Sequence, residues 1–364
     1  MPGLWDSLTV GSRGLQAQQT GAQITGANIA NYNVDGYHRE DPTITSSSAF
    51  RGVQQATLKR ASQGYLEANY NRAQADQEFT ATRARQLVPM NAGVGDQKDE
   101  TGLTSRLGQV FAAFKTLSSG VNQVYNRTQV LAQLQMFATS VNNDAQALSG
   151  QAKQLDHQII NAVTDINAQA AVIGNLNSAI TTSQAQGNPA ADLMDQRDLA
   201  VGRLASLAGA TVSVQSNGEY TVLVGAGITL VDNSQVNRLG TTLNTATGLH
   251  DVVMPGTELG TLNGRITGGS MGANLQVRDG DLTQAATMLD QLAYDTANAL
   301  NAQHTAGYDL NGTAGVNLFV PPATVAGAAA GLKVNSALLG NPQLLAGSQT
   351  AGAGTRGDNR NAVA

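Results

Sequence analysis

The chain has 364 residues, a formal net charge of -5, no cysteine, 40 glycines and an aromatic content of 4%. The absence of thiols excludes disulfides, thiolate metal centres and cysteine nucleophiles, and the acidic balance removes the electrostatic case for nucleic acid, which needs a concentrated basic face. Scarce aromatic anchors and plentiful small side chains fit helical packing better than a compact enzyme core, and the length predicts two or three domains at roughly 150 residues each.

The first predicted element is a helix. Leu4, Leu8, Gly11, Leu15, Gln18, Ala22, Thr25 and Ile29 alternate steps of four and three, the spacing of a coiled-coil seam. Glycine and polar residues thin the seam, so an isolated helix would bury too little apolar surface to persist, and the pattern predicts partners. Trp5 is either a local anchor or an intersubunit contact. Asn28, Asn31 and Gly36 end the helix in a turn, because Asn and Gly tolerate left-handed backbone. Pro42 and the weak alternation of Thr43, Thr45 and Ser47 predict extended or linker structure over 41–60. Leu66, Tyr70, Ala73, Gln77, Thr80, Ala84 and Leu87 restore a helical seam, which Pro89 is predicted to end. After a loop rich in Gly and Asp, Leu103, Leu107, Val110, Phe111, Phe114 and Leu117 mark a short amphipathic helix closed by Gly120.

The longest regular signal covers 122–182. Leu148, Ala152, Leu155, Ile159, Ala162, Ile166, Gln169, Ile173, Leu176 and Ile180 repeat the seam over a helix of roughly 90 Å. Gly150 and Gly174 inside it each cost about 1 kcal/mol against alanine, and a bend or break is expected near Gly150. Asn188-Pro189 turns the chain into a helix around Leu193, Leu204 and Leu207. From Ala210 the period becomes two. Val212 and Val214 are answered across Asn217-Gly218 by Tyr220, Val222 and Val224, a strong hairpin signal. Segments 228–231, 236–239, 252–254 and 262–266 read as further short strands. Helix returns over 281–304, with Leu282, Leu289, Leu292, Thr296 and Leu300 on one face, before a tail rich in Gly, Ala and Pro with few means of packing.

These elements predict an α+β fold: an elongated, coiled-coil-like helical bundle with an inserted small β domain and an N-terminal assembly helix. The expected divisions are 1–45 for the assembly helix and turn, 46–209 for a helical rod, 210–280 for the β domain and 281–364 for the returning helix and tail.

Catalytic and ligand motifs are missing from this pattern. His38, His157, His250 and His304 lie far apart and none has zinc-ligand spacing. Asp192, Asp195 and Asp198, with Arg197 among them, read as a solvated or salt-bridged helix face. Gly225-Ala226-Gly227 lacks the third glycine of a dinucleotide loop, Asp309-Leu310-Asn311-Gly312 has glycine at the wrong place for a calcium loop and reads as a β-turn, and Arg356-Gly357-Asp358 is a three-residue adhesion match. No secretory signal and no 18-residue apolar stretch occurs. The sequence therefore predicts no catalytic residue, no metal site, no cofactor, no nucleic acid and no membrane insertion.

Asn28-Ile29-Ala30-Asn31, Gly36-Tyr37 and Arg39 resemble the signature of the flagellar axial proteins, the rod, hook and hook-associated subunits of the bacterial flagellum. Three later segments resemble the hook-associated members, which join hook to filament: the run Asp192-Leu193-Met194-Asp195-Gln196-Arg197-Asp198 with its following hairpin, the run from Asn301-Ala302-Gln303-His304 to Gly307-Tyr308-Asp309, and Gly357-Asp358-Asn359-Arg360-Asn361. The resemblance implies a structural, extracellular subunit of the flagellum. It implies export through the flagellar type III apparatus without a cleaved signal, and self-assembly into a ring. Its partners would be like subunits, the hook protein and a second hook-associated protein, with an export chaperone for the full-length protein. The expected assembly interface is Leu4, Trp5, Leu8, Leu15, Ala22, Asn28, Ile29, Asn31, Gly36, Tyr37 and Arg39. In the family the last motif opens another long helix, whereas this chain stops at Ala364, so it is expected to be a truncated product or a naturally short relative. A hook or distal rod protein, a flagellum-associated cell-wall enzyme and an adhesin are the alternatives.

Overall fold

The computed structural model describes residues 4–47, 52–61, 63–94, 102–351 and 358–363. In chain order these form α1 (Leu4–Ala30), β1 (Glu40–Ser47), β2 (Gly52–Arg60), α2 (Gly64–Val94), α3 (Leu103–Ser119), α4 (Val124–Ala185) and α5 (Ala191–Ala208). Six short strands follow, β3 (Thr211–Val214), β4 (Tyr220–Val224), β5 (Ile228–Asp232), β6 (Gln235–Val236), β7 (Gly240–Asn244) and β8 (Leu249–Val253), then α6 (Gly269–Leu275), a π-helical turn (Gln276–Asp281), α7 (Leu282–Thr305), α8 (Ala328–Gly331) and α9 (Arg360–Val363). The fold is α+β. The chain divides into one unit of Met1–Arg83 with Asp156–Gln276 and a second of Ala84–Leu155 with Val277–Ala364, the divisions falling inside α2 and α4. Among the described residues no helix is long and apolar enough to cross a membrane.

In the first unit, the segment read as extended or linker structure is an antiparallel hairpin, β1 with β2, in register from Glu40 opposite Arg60 to Ser47 opposite Gly52 and with a bulge after Thr45. The extended alternative is the one that holds, since period-two β-branched residues fit a pleated backbone. α1 packs against both strands of this hairpin. Its buried residues are Ala17 and Ile24, not the residues of the predicted seam.

The core of this unit joins one face of α4 (Ile159, Ile166, Ile173) to α5 (Leu204, Ala205, Ala208) and to a sheet ordered β3-β4-β5-β6. The Asn217-Gly218 hairpin forms as the sequence requires, with Val212 opposite Val222, Val214 opposite Tyr220 and Gly218 at a φ of 80°. β7 and β8 form a separate hairpin that pairing shows and periodicity did not. Segment 262–266 is a turn, not a strand: Leu262 and Ile266 are both buried but four residues apart, a spacing that suits a turn closed by Arg265 N donating to Leu262 O at 2.9 Å. Gly174 does not break α4. A Cβ there would meet Val236 Cγ2 at 2.9 Å, so the missing side chain admits β6.

In the second unit, Val110 and Leu117 of α3, Leu134, Phe137, Val141, Leu148 and Leu155 of α4, and Leu282, Leu289, Ala293 and Ala297 of α7 share one core. Two helix expectations fail here. Pro89 lies inside α2, which continues to Val94, and the Gln151 side-chain amide donates to Gln86 O in the preceding turn, tying the helix to α4 at that point. α4 runs 62 residues with no break at Gly150, because a penalty of about 1 kcal/mol is small against the burial of Leu148 and Leu155. The buried face of α7 runs through Ala293 and Ala297, leaving Leu292 outside.

The tail expected to pack poorly also packs. Leu318, Phe319, Ala328, Ala329, Leu332, Leu338 and Leu345 enter the core. Helix side chains serve their backbone: Asn301 donates to Phe319 O at 3.0 Å and accepts from Phe319 N at 2.8 Å, Asn142 donates to Ala329 O at 2.7 Å, and Arg127 donates to Leu345 O. Such bonds leave no periodic trace in the sequence.

Candidate functional site

α1 is one-sided. Leu4 and Trp5 are 88% and 80% exposed, and Leu8, Leu15 and Ile29 are exposed with them. Ala22 is also exposed. The thin seam is thus an uncovered apolar stripe on a helix whose other side lies on the hairpin.

The signature closes this helix onto β1. Asn28 Nδ2 donates to Glu40 O at 2.8 Å, while its Oδ1 accepts from Tyr37 Oη at 2.8 Å and from Glu40 N at 3.0 Å. Asn31 O accepts from Val34 N at 2.9 Å, and Gly36 sits at a φ of 79°, a left-handed conformation in which the bare backbone lies against Leu199. Arg39 stays exposed, paired with Asp41 at 2.9 Å. Burial, and then the neighbouring Glu40, push the Tyr37 phenol above its usual pKa; Glu40 is buried and raised by desolvation, then by Asp192 and Asp195.

The turn then docks on α5 through the acidic run. His38 N donates to Asp195 Oδ2 at 3.1 Å, and His38 Nδ1 lies 2.9 Å from Asp195 Oδ1 and 2.7 Å from Arg60 Nη2. Arg60, nearly buried, bridges Asp195 at 2.6 Å and Asp198. Burial opposes its charge, but Asp198 and Asp195 together raise its pKa. Asp198 also accepts from Tyr220 Oη at 2.9 Å, and burial pushes that phenol up to about 12. Glu67 Oε1 of α2 lies 3.2 Å from His38 Nε2. The acidic face is therefore salt-bridged to Arg60 and not to its sequence neighbour.

Arg197 is buried instead, stacked 3.4 Å over the Tyr220 ring and donating to Asn177 Oδ1 and Gly218 O, each at 3.0 Å. Sequence spacing gave no sign of this, because an arginine between aspartates reads as a surface residue. Its only available signal was the aromatic opening the following hairpin.

The two remaining family segments meet in the second unit. Gln303 Nε2 donates to Asn361 Oδ1 at 3.0 Å, Asn361 Nδ2 donates to Ala346 O at 3.2 Å, and Asn359 Nδ2 donates to Ser118 O at 2.8 Å. A Cβ on Gly307 would overlap Asn361 Nδ2. His304 accepts from Ala346 N through Nε2 at 2.7 Å and donates through Nδ1 to Val316 O; burial lowers its pKa to about 4. Asp309 forms the β-turn read from the sequence, accepting from Gly312 N at 3.1 Å through its carbonyl. In the adhesion tripeptide, Arg356 and Gly357 lie outside the described residues. Asp358 accepts from Gln349 N at 2.9 Å and Thr350 Oγ1 at 2.6 Å, bonds that hold its carboxyl down to about 2.

The four segments that carry the resemblance thus dock in pairs, one pair in each unit. Comparison with known proteins agrees. A family model described as "Flagellar hook-associated protein FlgK helical domain" matches residues 94–319, and one described as "Flagella basal body rod protein" matches residues 8–38. The chain belongs to the FlgK family of flagellar hook-associated proteins. Flagellar hook-associated protein 1 of Salmonella typhimurium is 30% identical over 274 residues, covering 74% of this chain and 49% of that protein. The protein of the same name from Bacillus subtilis is 25% identical over 353 residues, covering 86% and 69%. The solved structure of the flagellar hook junction protein FlgK from Burkholderia pseudomallei matches with a TM-score of 0.63 and 27% identity, over 71% of this chain and 46% of that one. The chain spans about half the length of its Salmonella and Escherichia coli relatives.

Proposed function

We propose that this chain is a structural subunit of the bacterial flagellum at the hook–filament junction, exported through the flagellar type III apparatus and assembled into a ring of like subunits. It has no catalytic role in this reading. Its neighbours are the hook protein and a second hook-associated protein, and its interface is the α1 stripe with the signature turn. The observation that carries the reading is the exposure of Leu4, Trp5, Leu8, Leu15 and Ile29 on a single helix that is covered only on the face of Ala17 and Ile24. An apolar stripe of this kind is stable in water only as part of a larger contact. The match to a basal-body rod protein over residues 8–38 supports an axial role for this same helix.

Assembly is the mechanism. The stripe buries little on its own, so it gains most of its stabilisation when neighbouring subunits stack on it, which couples ordering of α1 to polymerisation. The test is complementation of a strain lacking the chromosomal gene. Leu8→Asp with Leu15→Asp, in the otherwise unchanged protein, should abolish motility and filament attachment while leaving the circular-dichroism spectrum and melting of the purified protein unchanged. Full motility of that double variant would overturn the interface.

A further inference from the structure

Beneath the signature turn, three side chains from three elements of the first unit converge. His38 of the turn, Glu67 of α2 and Asp198 of α5 each bring one ligand atom within 4.8 Å of the others. We propose that these residues bind one divalent transition-metal ion of the zinc class, through His38 Nε2 and one carboxylate oxygen each from Glu67 and Asp198, and that the ion locks the signature turn to α2 and α5.

The tautomer of His38 supports this. Its Nδ1 faces two acceptors, Gly36 O at 3.1 Å and Asp195 Oδ1 at 2.9 Å. Arg60 Nη2, which also donates to Asp198, lies 2.7 Å from the same nitrogen and competes as a donor, so metal binding selects the tautomer that keeps the hydrogen on Nδ1. With Nδ1 carrying the hydrogen, a neutral ring presents a lone pair at Nε2. A carboxylate behind Nδ1 is the usual support of a metal-binding imidazole, fixing the ring and raising its basicity.

The charge and the unmet hydrogen bond lead to the same place. Glu67 Oε1 is buried and accepts no hydrogen bond, although His38 Nε2 is 3.2 Å away. With the hydrogen on Nδ1, the Nε2 lone pair faces a carboxylate oxygen at that distance, an arrangement that a bound cation stabilises. Glu67, Asp195 and Asp198 carry three carboxylates against two guanidiniums, Arg60 and, acting on Asp198, Arg197, so negative charge remains in excess and favours a cation. Asp198 is the weakest ligand, since Tyr220 and Arg60 each occupy one of its oxygens, and it offers only a second lone pair. One imidazole with two carboxylates is a donor set that zinc accepts, with a further position left for water. The sequence predicts no metal because residues so far apart in the chain have no ligand spacing to read.

The competing occupant of the gap is a proton on Nε2, either in the opposite neutral tautomer, with Nδ1 accepting from Arg60, or in an imidazolium paired with Glu67. Untagged, chelator-treated protein titrated with zinc chloride at pH 7.5 by calorimetry separates the two. One equivalent should bind, and His38→Ala or Glu67→Gln should weaken it at least about tenfold. In ¹⁵N spectra zinc should move the His38 Nε2 resonance and leave His250 unmoved. His250 is gripped by Asp156 in the same manner, but it belongs to no ligand group among the described residues. Glu67→Gln is isosteric and keeps the experiment readable if His38→Ala does not fold. Absence of zinc binding, binding unchanged in Glu67→Gln, or a His38 ring already protonated and unmoved by zinc would each overturn the proposal.

Discussion

His38 and Asp195 are joined twice, by the His38 amide to Oδ2 at 3.1 Å and by the ring Nδ1 to Oδ1 at 2.9 Å, across 157 residues of chain. One carboxylate thereby fixes both the backbone and the ring of a single turn residue. The same grip recurs in this unit between His250 and Asp156, whose two bonds are each 2.7 Å. In each case an aspartate on a helix captures a histidine on an extended segment; His250 also sits in the β7–β8 ladder, whereas His38 precedes β1 and is held by the side chain. For the signature this means that the exit angle of α1 is dictated by α5.

Asp195→Ala tests that dependence. The substitution leaves the His38 amide and one arm of Arg60 without acceptors in a partly buried site, and it should cost about 2 to 4 kcal/mol. Urea denaturation of the purified protein measures the loss. Hydrogen exchange should show the His38 amide accelerating while the α4 core residues Ile159 and Ile166 stay slow. An unchanged His38 exchange rate would mean that the turn holds itself, through Asn28 alone.

Gly307→Ala probes the second pairing of family segments. A Cβ would overlap Asn361 Nδ2, and Asn361 is buried, so it cannot swing aside without losing its bonds to Gln303 and Ala346. The expected cost is about 1 to 3 kcal/mol. More specifically, residues 358–363 should be released: limited proteolysis should cut the variant after Arg360 faster than the parent, with the rest of the chain equally resistant.

Much of this was legible in the sequence, and the failures have a common cause. The Asn217-Gly218 hairpin, the long seam from Leu148 to Ile180 and the turn at Asp309 follow from local backbone chemistry, and periodicity or turn residues report them directly. Pro89 and Gly150 were misread because each carries a local penalty that tertiary contacts offset, with Gln151 bonding at Gln86 and Leu148 and Leu155 burying, while the cost given for Gly174 comes with Val236 occupying the vacated space. The α1 seam was read as a thin stripe, yet α1 buries Ala17 and Ile24 against the β1–β2 hairpin, a contact that helix periodicity alone does not report. The candidate interface residues could be named, but the cluster of Arg60, Glu67, Asp195 and Asp198 around His38 could not. Its members come from separate elements, and only the fold brings them together.

The final prediction concerns pH and the second unit. His304 is hydrogen-bonded at both nitrogens as a neutral ring, and burial lowers its pKa from 6.5 to about 4. A depressed folded pKa means that the neutral ring's contribution is fully present above 6.5 and is lost as pH falls through 4, on the order of 3 kcal/mol. Asp144 of α4 acts in the opposite sense. Burial raises its carboxyl from 3.8 to about 6, so its contribution is fully present below 3.8 and is lost as pH rises through 6. The two slopes oppose each other between pH 4 and 6, and the parent protein should show a nearly flat stability there. Asp144→Asn removes one of them. Urea midpoints for that variant should then fall steeply on acidification from pH 6.5 to 4, whereas His304→Gln should leave the reverse slope. Parallel profiles for the parent and both variants would mean that neither group is linked to folding.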